Sequence, residues 1–162
     1  KKDFDKWKDM IFGAISNIEF GAKGFLAARK NKPCAILSFS DIDSNQGFYI
    51  DHAASWPLAP NEGTKGAGKS IFRHILGKGA EENKKLARLV PDTLTPRGKN
   101  CNDFYKEIGF SKNEKNFTTE ITANEQTNGF KQSCEKLDSI LEYKKIADST
   151  ETDLNSALNL DF

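Results

Sequence analysis

Glu62-Gly63-Thr64-Lys65-Gly66-Ala67-Gly68-Lys69-Ser70 is a glycine-rich stretch between an apolar run, residues 48–58, and a helical pattern of Ile71, Phe72, Ile75 and Leu76. A strand that leads through such a turn into a helix is typical of an anion site, because the first N–H groups of a helix have no intrahelical acceptor and its N-terminal end is positive. Glycines let the backbone approach a phosphate closely, and Lys65 and Lys69 add full charges. We predict that this loop binds a pyrophosphate.

The loop fits two different patterns. The spacing Gly63-x4-Gly68-Lys69-Ser70 satisfies the P-loop of nucleotide triphosphatases. The inner Gly66-x-Gly68 is similar to the acetyl-CoA loop of the GNAT superfamily of N-acetyltransferases, written Gln/Arg-x-x-Gly-x-Gly/Ala. A glycine-rich connection without a ligand is the third interpretation. Such short motifs do not distinguish the three interpretations. The order of the surrounding helices and strands has to distinguish them.

The composition is that of one globular domain. The chain has 162 residues, of which 37% are hydrophobic and 29% charged. No apolar run approaches the roughly 20 residues of a membrane span, so we expect no membrane partner. The cysteines, Cys34, Cys101 and Cys134, have neither a disulfide-framework nor a metal-ligand spacing, which favours reduced core cysteines in a cytoplasmic protein without a metal. The sequence begins at Lys1 rather than at Met, so we expect an expressed piece or a segment of a longer protein.

Charge is distributed unevenly along the chain. Residues 1–116 contain 20 Lys+Arg and 14 Asp+Glu, whereas residues 117–162 contain 4 and 9. The basic part suits an anionic cofactor but lacks the strongly basic stripe of a dedicated nucleic-acid binder. The acidic C-terminal part is typical of a solvated surface.

Periodicity predicts the elements before the loop. Residues 4–18 have apolar side chains at spacings of three and four, which indicates a helix. Three strand-like runs follow, at residues 24–30, 34–39 and 48–58. Short turns join them, which favours an antiparallel meander.

The elements after the loop alternate between helix and strand. We predict a helix over residues 68–83 and then a strand over 85–91, whose crossover makes it a parallel neighbour of the third run. Further elements are a short helix that ends at Gly109, a strand pair at 110–111 and 117–122, an amphipathic helix over 124–146, and a weak helix or docking tail over 147–162.

This order disfavours a P-loop protein. Pro57 and Pro60 fit poorly in the central parallel strand that would enter a P-loop. Turns rather than helices join the three runs before the loop, whereas nucleotide triphosphatases build strand–helix–strand units.

Two motifs resemble the GNAT superfamily instead. Leu58-x-Pro60 followed by Gly63-Thr64-Lys65-Gly66-Ala67-Gly68 resembles the family's Val-x-Pro…Arg-Gly-x-Gly-x-Gly segment. Phe104-Tyr105-Lys106-Glu107-Ile108-Gly109-Phe110 is similar to its Phe-Tyr-x-x-x-Gly-Phe signature. The resemblance covers roughly residues 4–122 and implies an α/β fold of the α+β type. Its mixed, mostly antiparallel central sheet is flanked by helices. We expect a GNAT-like domain over 1–122, with a C-terminal helix and acidic tail, residues 123–162, packed on it.

The sequence departs from the family pattern at three places. Gly63 stands where the family has Gln or Arg, so one side-chain contact is missing. Gly98 stands where an Asn is common, and Asn100 and Asn102 are the neighbouring candidates for its role. The usual strand before the N-terminal helix does not appear in the given sequence, so either the fold dispenses with it or it lies upstream of Lys1.

The resemblance implies an acetyl-CoA-dependent N-acetyltransferase. The backbone around Trp56 and Leu58 would pair with the pantetheine arm and donate an N–H to the thioester oxygen. Lys65, Lys69 or Arg97 would reach the 3′-phosphate. The pyrophosphate would contact the amides of Thr64, Lys65, Gly66, Ala67, Gly68, Lys69 and Ser70.

The resemblance also suggests the catalytic groups. Tyr105 is the predicted general acid, because a phenol can protonate the departing thiolate; the alternative is that Tyr105 only packs its helix. Asp51 and His52 are equal candidates for the general base, and a water or an already neutral amine would replace either.

Three functions remain open at this point. The first is an N-acetyltransferase whose amine acceptor is a small molecule, a protein or an aminoacyl-tRNA. The second is a GNAT-type toxin or effector that acetylates aminoacyl-tRNA or protein amines and has a protein inhibitor as partner. The third is a non-catalytic binding module that uses its tail for a partner.

Overall fold

The computed structural model describes residues 2–42, 46–56, 64–91, 102–113, 116–121 and 128–146. These residues form helices and strands in the following order: α1 Lys2–Glu19, β1 Lys23–Arg29, β2 Lys32–Asp41, β3 Gly47–Ser55, α2 Ala67–Glu81, β4 Leu86–Leu89, α3 Asn102–Glu107, β5 Ser111–Asn113, β6 Asn116–Glu120, α4 Asn128–Asp138 and β7 Glu142–Ile146.

The strands form one seven-stranded sheet in the order β5-β6-β4-β3-β2-β1-β7. Within the described ranges β3 and β4 are the parallel pair, and the other pairs are antiparallel. The predicted mixed, mostly antiparallel sheet is therefore confirmed, as is the parallel pairing across α2.

Helices cover the two faces of the sheet. Neighbouring residues in a strand point to opposite faces, so Leu26 and Ile36 pack with α1, whereas Phe25 and Leu37 pack with α2. Because both faces are covered, β2 is a nearly continuous run of buried residues from Cys34 to Phe39. Among the residues that the structure describes, no helix is long and apolar enough to span a membrane.

The predicted helix over residues 124–146 is wrong in its second half. Helix α4 ends at Asp138, and β7 pairs antiparallel with β1, with Leu26 opposite Lys144. The physical reason is tertiary: β1 would otherwise expose the backbone groups of a sheet edge. Ile146 is 5% exposed and packs in the α1 cluster, while Tyr143 packs against the other cluster.

Helix α4 packs against α2. Cys134 of α4 is fully buried, and Arg73 of α2 forms ion pairs with Glu135 and Asp138. Cys34 and Cys134 are free buried thiols; Cys101 lies outside the described residues. Burial raises the pKa of Cys34 to about 11, which keeps its thiol neutral.

Candidate active site

Strands β3 and β4 separate at the centre of the sheet. Their pairing ends with Ile50 opposite Leu89, where β4 itself ends. Strand β3 continues to Ser55 and stays paired with β2 as far as Ala35. Among the residues that the structure describes, no strand pairs with the β4-facing edge of β3 beyond Ile50, and an extended ligand could pair with this edge.

The direction of the backbone groups along this edge follows from one hydrogen bond. The N–H of Trp56 donates to the carbonyl oxygen of Cys34 on β2, at 2.9 Å. Alternate residues of a strand direct their backbone groups to the same edge, so Ala54 also faces β2, whereas Ala53 and Ser55 face the gap. Trp56 itself is 7% exposed and packs in the α1 cluster.

A β-bulge lies at the point of separation. Ser38 is opposite His52 and Phe39 is opposite Ile50, so Asp51 is the extra residue on β3. Bulges of this kind redirect side chains and are common beside active sites. The hydroxyl of Ser40 donates to Oδ2 of Asp51 at 2.9 Å, and the N–H of His52 donates to the Ser38 hydroxyl at 3.2 Å.

A cavity of about 470 Å³ opens beside the bulge, between α1, β3, the end of β4 and α3. The structure brings the three predicted catalytic residues together here, because Tyr105, Asp51 and His52 all line it. The described residues that line it are Asp9, Met10, Ile50, Asp51, His52, Ala53, Leu89, Val90, Pro91 and Tyr105.

The ring of Tyr105 is held by an aromatic cluster. Its centroid lies 5.3 Å from that of Phe104, 5.8 Å from Phe72 and 5.7 Å from Phe117. Tyr105 is half-buried in this cluster and also lines the cavity. The packing therefore fixes the direction in which the phenol approaches the cavity.

Helix α1 positions the imidazole of His52. Nδ2 of Asn17 lies 2.6 Å from Nδ1 of His52. A Cβ added to Gly13 would lie 3.0 Å from Cδ2 and 3.1 Å from Nε2 of the same ring. Asp9, Gly13 and Asn17 follow each other at intervals of four and so share one face of α1. Our sequence reasoning missed these three residues, although a polar or small residue every four positions was a visible signal.

The predicted phosphate loop is described from Thr64 onwards. Gly66 is the N-cap of α2, with φ 85° and ψ 0°, and the first turn contains no acidic residue. The N–H of Ala67 donates to the carbonyl of Thr64 at 3.1 Å, whereas those of Gly68 and Lys69 belong to the first turn, which has no intrahelical acceptor. A Cβ added to Gly68 would lie 3.8 Å from Ser55, so this turn directly adjoins the open edge of β3.

The other predicted cofactor residues are distributed as follows. Lys65 is exposed. The ammonium group of Lys69 forms an ion pair with Glu107 and so links α2 to α3. Asn102 is the first residue of α3 and is half-buried. Ser70 is fully buried in α2. Leu58, Gly63, Arg97 and Asn100 lie outside the described residues.

The other histidine lies away from this site. His74 of α2 stacks on Tyr143 with a centroid separation of 4.1 Å and meets the edge of Phe25 at 4.7 Å. Burial lowers the pKa of His74. This environment is that of a packed neutral ring, so His74 has no place among the catalytic candidates.

Comparison with solved structures identifies the fold. No protein-family model matches the sequence, and no curated protein matches it at a significant level. Among solved structures, the aminoglycoside 6'-acetyltransferase type Ii is similar with a TM-score of 0.55 and 10% identity, over 74% of this chain and 83% of that one.

Two further solved structures are similar to this chain in fold. A GNAT-family acetyltransferase from Staphylococcus aureus has a TM-score of 0.50 and 13% identity, over 72% of this chain and 94% of that one. Tetrahymena GCN5 has a TM-score of 0.50 and 13% identity, over 70% and 76% of the respective chains. The chain therefore has the fold of the GNAT acetyltransferases.

Proposed function

We propose that this chain is an acetyl-CoA-dependent N-acetyltransferase that transfers an acetyl group to an amine acceptor. One observation carries the proposal: the open edge of β3 connects the Tyr105 cavity, beside residues 50–53, to the N-terminal turn of α2, beside Ser55. A ligand along this edge has its reactive end in the cavity and its other end at a helix N-terminus.

Coenzyme A fits the groups along this path. The backbone groups of Ala53 and Ser55 would pair with an extended arm that carries amides, in the manner of an added strand. The N–H groups of Gly68 and Lys69 would hold a diphosphate, and the absence of a side chain at Gly68, beside Ser55, leaves room for its approach. This assignment moves the predicted arm contact from Trp56, whose N–H is bonded to Cys34, to Ser55.

Acetyl-CoA would supply the acetyl group as a thioester. As the new C–N bond forms and the C–S bond breaks, Asp51, His52 or a water takes the proton of the amine. Tyr105, whose phenol lines the cavity, donates its proton to the sulfur as general acid. Ser40 and Asn17 position the two candidate bases through their hydrogen bonds.

Replacement of the phenol tests this function. Tyr105→Phe keeps the ring in the Phe72, Phe104 and Phe117 cluster and removes only the hydroxyl. We expect kcat for acetyl transfer to fall by about 10²-fold, the lower range for loss of a general acid, while the calorimetric Kd for coenzyme A stays unchanged.

Tyr143→Phe is the matched control for this experiment. Its hydroxyl interacts with Asp138 on α4 rather than with the cavity, so we expect wild-type kcat. Unchanged turnover in Tyr105→Phe would rule out the acid role, and absence of any coenzyme A binding by the wild type would rule out the acetyltransferase.

The class of acceptor and the cellular location of the chain are part of the same proposal. The toxin alternative uses the same chemistry on aminoacyl-tRNA or protein amines; Tyr105-dependent arrest of growth on expression would support it, and normal growth would count against it. The free, buried Cys34 and Cys134 support a reducing, cytoplasmic environment.

A further inference from the structure

We propose that the acceptor is a small aliphatic amine with a second positive charge, and that Asp9 binds this second charge. The inference rests on the proposed acetyltransferase function and concerns the substrate class of the same cavity. It makes Asp9 a specificity-determining residue rather than part of the proton-transfer machinery.

The charged side chains that line the cavity are all acidic. Asp9 and Asp51 contribute carboxylates, and no Lys or Arg is among the lining residues that the structure describes. The two carboxylates belong to different walls, since Asp9 lies on α1 and Asp51 on β3. A cavity of this charge attracts cations and repels polyanions, which favours a small cation over an aminoacyl-tRNA.

The two carboxylates have different neighbours. Asp51 is the bulge residue, it is bonded to Ser40, and it adjoins His52. It therefore lies where the reacting nitrogen must lose a proton. Asp9 lies four residues before Gly13, on which the His52 ring rests, and so about 6 Å away along the helix axis. A molecule whose reacting nitrogen is beside Asp51 and His52 can reach Asp9 only with a second group.

Apolar side chains line the same cavity as the polar ones. Met10, Leu89, Val90 and Pro91 contribute hydrocarbon surface, and Val90 remains 51% exposed. Exposed apolar surface at a concave site indicates a ligand that covers it. A chain of methylene groups between two nitrogens suits a lining that combines acidic and apolar side chains, because such chains pack along apolar surface while their ends stay solvated or paired.

The test compares linear α,ω-diamines of increasing length with monoamines of the same length, as acceptors for the full chain and acetyl-CoA. We expect kcat/KM to be at least about tenfold higher for the best diamine than for its matched monoamine. In Asp9→Asn this preference should fall about three- to tenfold, the range for loss of one partly solvated charge contact. The loss should appear mainly in KM for the diamine and should exceed any loss for the matched monoamine.

Two controls keep the outcome specific to Asp9. Glu19→Gln removes one charge from the same helix outside the cavity and should leave the preference intact. Asp9→Glu retains the charge and should restore most of the preference. In the wild type, added salt should lower kcat/KM for the diamine more than for the monoamine, because the second charge is bound electrostatically.

Failure of this inference and failure of the proposed acetyltransferase function would give different results. Equal turnover of diamine and monoamine, or turnover of peptide amines or aminoacyl-tRNA but of no diamine, would overturn this inference and leave the acetyltransferase intact. Absence of coenzyme A binding would overturn both. A loss of monoamine turnover in Asp9→Asn that matches the loss for the diamine would show a general role for Asp9 and would contradict a role in binding the second charge.

Discussion

Gly66 combines a backbone φ of 85° with a close neighbour. The left-handed conformation strains any residue with a Cβ, and a Cβ at this position would lie 2.8 Å from Cδ1 of Leu137 on α4. The N-terminus of α2 therefore depends on a glycine for two separate reasons. Since that turn is the proposed diphosphate site, stability and ligand affinity are linked at this residue.

We expect Gly66→Ala to lower the free energy of unfolding by about 1–3 kcal/mol and to weaken coenzyme A binding. Gly77→Ala is the matched control, because Gly77 lies in the same helix with open space around it and its replacement should stabilise the helix by about 0.5–1 kcal/mol. Urea denaturation and calorimetry measure the two quantities. A Gly66→Ala protein of unchanged stability would contradict the strained conformation.

His74 makes the free energy of unfolding depend on pH, independently of the proposed catalytic groups. Burial lowers the pKa of His74 below its ordinary value of 6.5, and Lys78 adds to this effect. The unfolded chain therefore takes up a proton near pH 6.5 that the folded chain does not. The free energy of unfolding should consequently fall as the pH drops from about 7.5 to about 5.

His74→Phe should remove this part of the pH dependence while keeping a ring between Phe25 and Tyr143. Urea denaturation at both pH values measures it. Asp41 titrates in another window: the hydrogen bond from Lys23 lowers its pKa below 3.8, so its contribution is present above that pH and is lost only in stronger acid. An equal pH dependence in wild type and His74→Phe would contradict the assignment.

At the scale of elements, β7 completes the edge of the sheet. Ile146 packs into the cluster under α1, whereas Lys145 beside it is exposed. We expect Ile146→Ala to cost about 2–4 kcal/mol of unfolding free energy, as for other buried aliphatic truncations. Lys145→Ala should change it by less than about 0.5 kcal/mol. A negligible effect of Ile146→Ala in urea denaturation would mean that β7 is not docked on β1.

These elements also show which structural features can be predicted from the sequence alone. The helix face of α1 and the buried run of β2 are local periodic patterns, so both were predicted. Strand β7 was missed because its conformation depends on pairing with β1, which lies more than a hundred residues earlier in the chain. The direction of the Trp56 N–H was missed for the same reason, since it depends on Cys34 of the neighbouring strand.

The candidate site also combines residues that local sequence patterns predict with residues that only long-range contacts reveal. Tyr105, Asp51 and His52 were proposed from their own motifs and runs, and the structure places all three at one cavity. Asn17 contacts His52 across 35 residues of sequence, and only the packing of α1 on β3 makes that contact visible. The position of Asp9 at the cavity likewise depends on the packing of α1 on β3.

At the scale of the whole molecule, the fold places three features in line. The cavity lies where β3 and β4 separate, the open edge of β3 extends from it, and the first turn of α2 adjoins the end of that edge. Helix α3 supplies Tyr105 from one side and α1 supplies Asp9 and Asn17 from the other. The cavity and the first turn of α2 thus lie at the two ends of the open β3 edge.

The most direct measurement is a crystal structure of the chain with coenzyme A. We predict the diphosphate at the N–H groups of Gly68 and Lys69, the arm paired with the backbone of Ala53 and Ser55, and the sulfur within hydrogen-bond reach of the Tyr105 hydroxyl. Coenzyme A bound elsewhere, or a sulfur remote from Tyr105 with the β3 edge unpaired, would contradict the account.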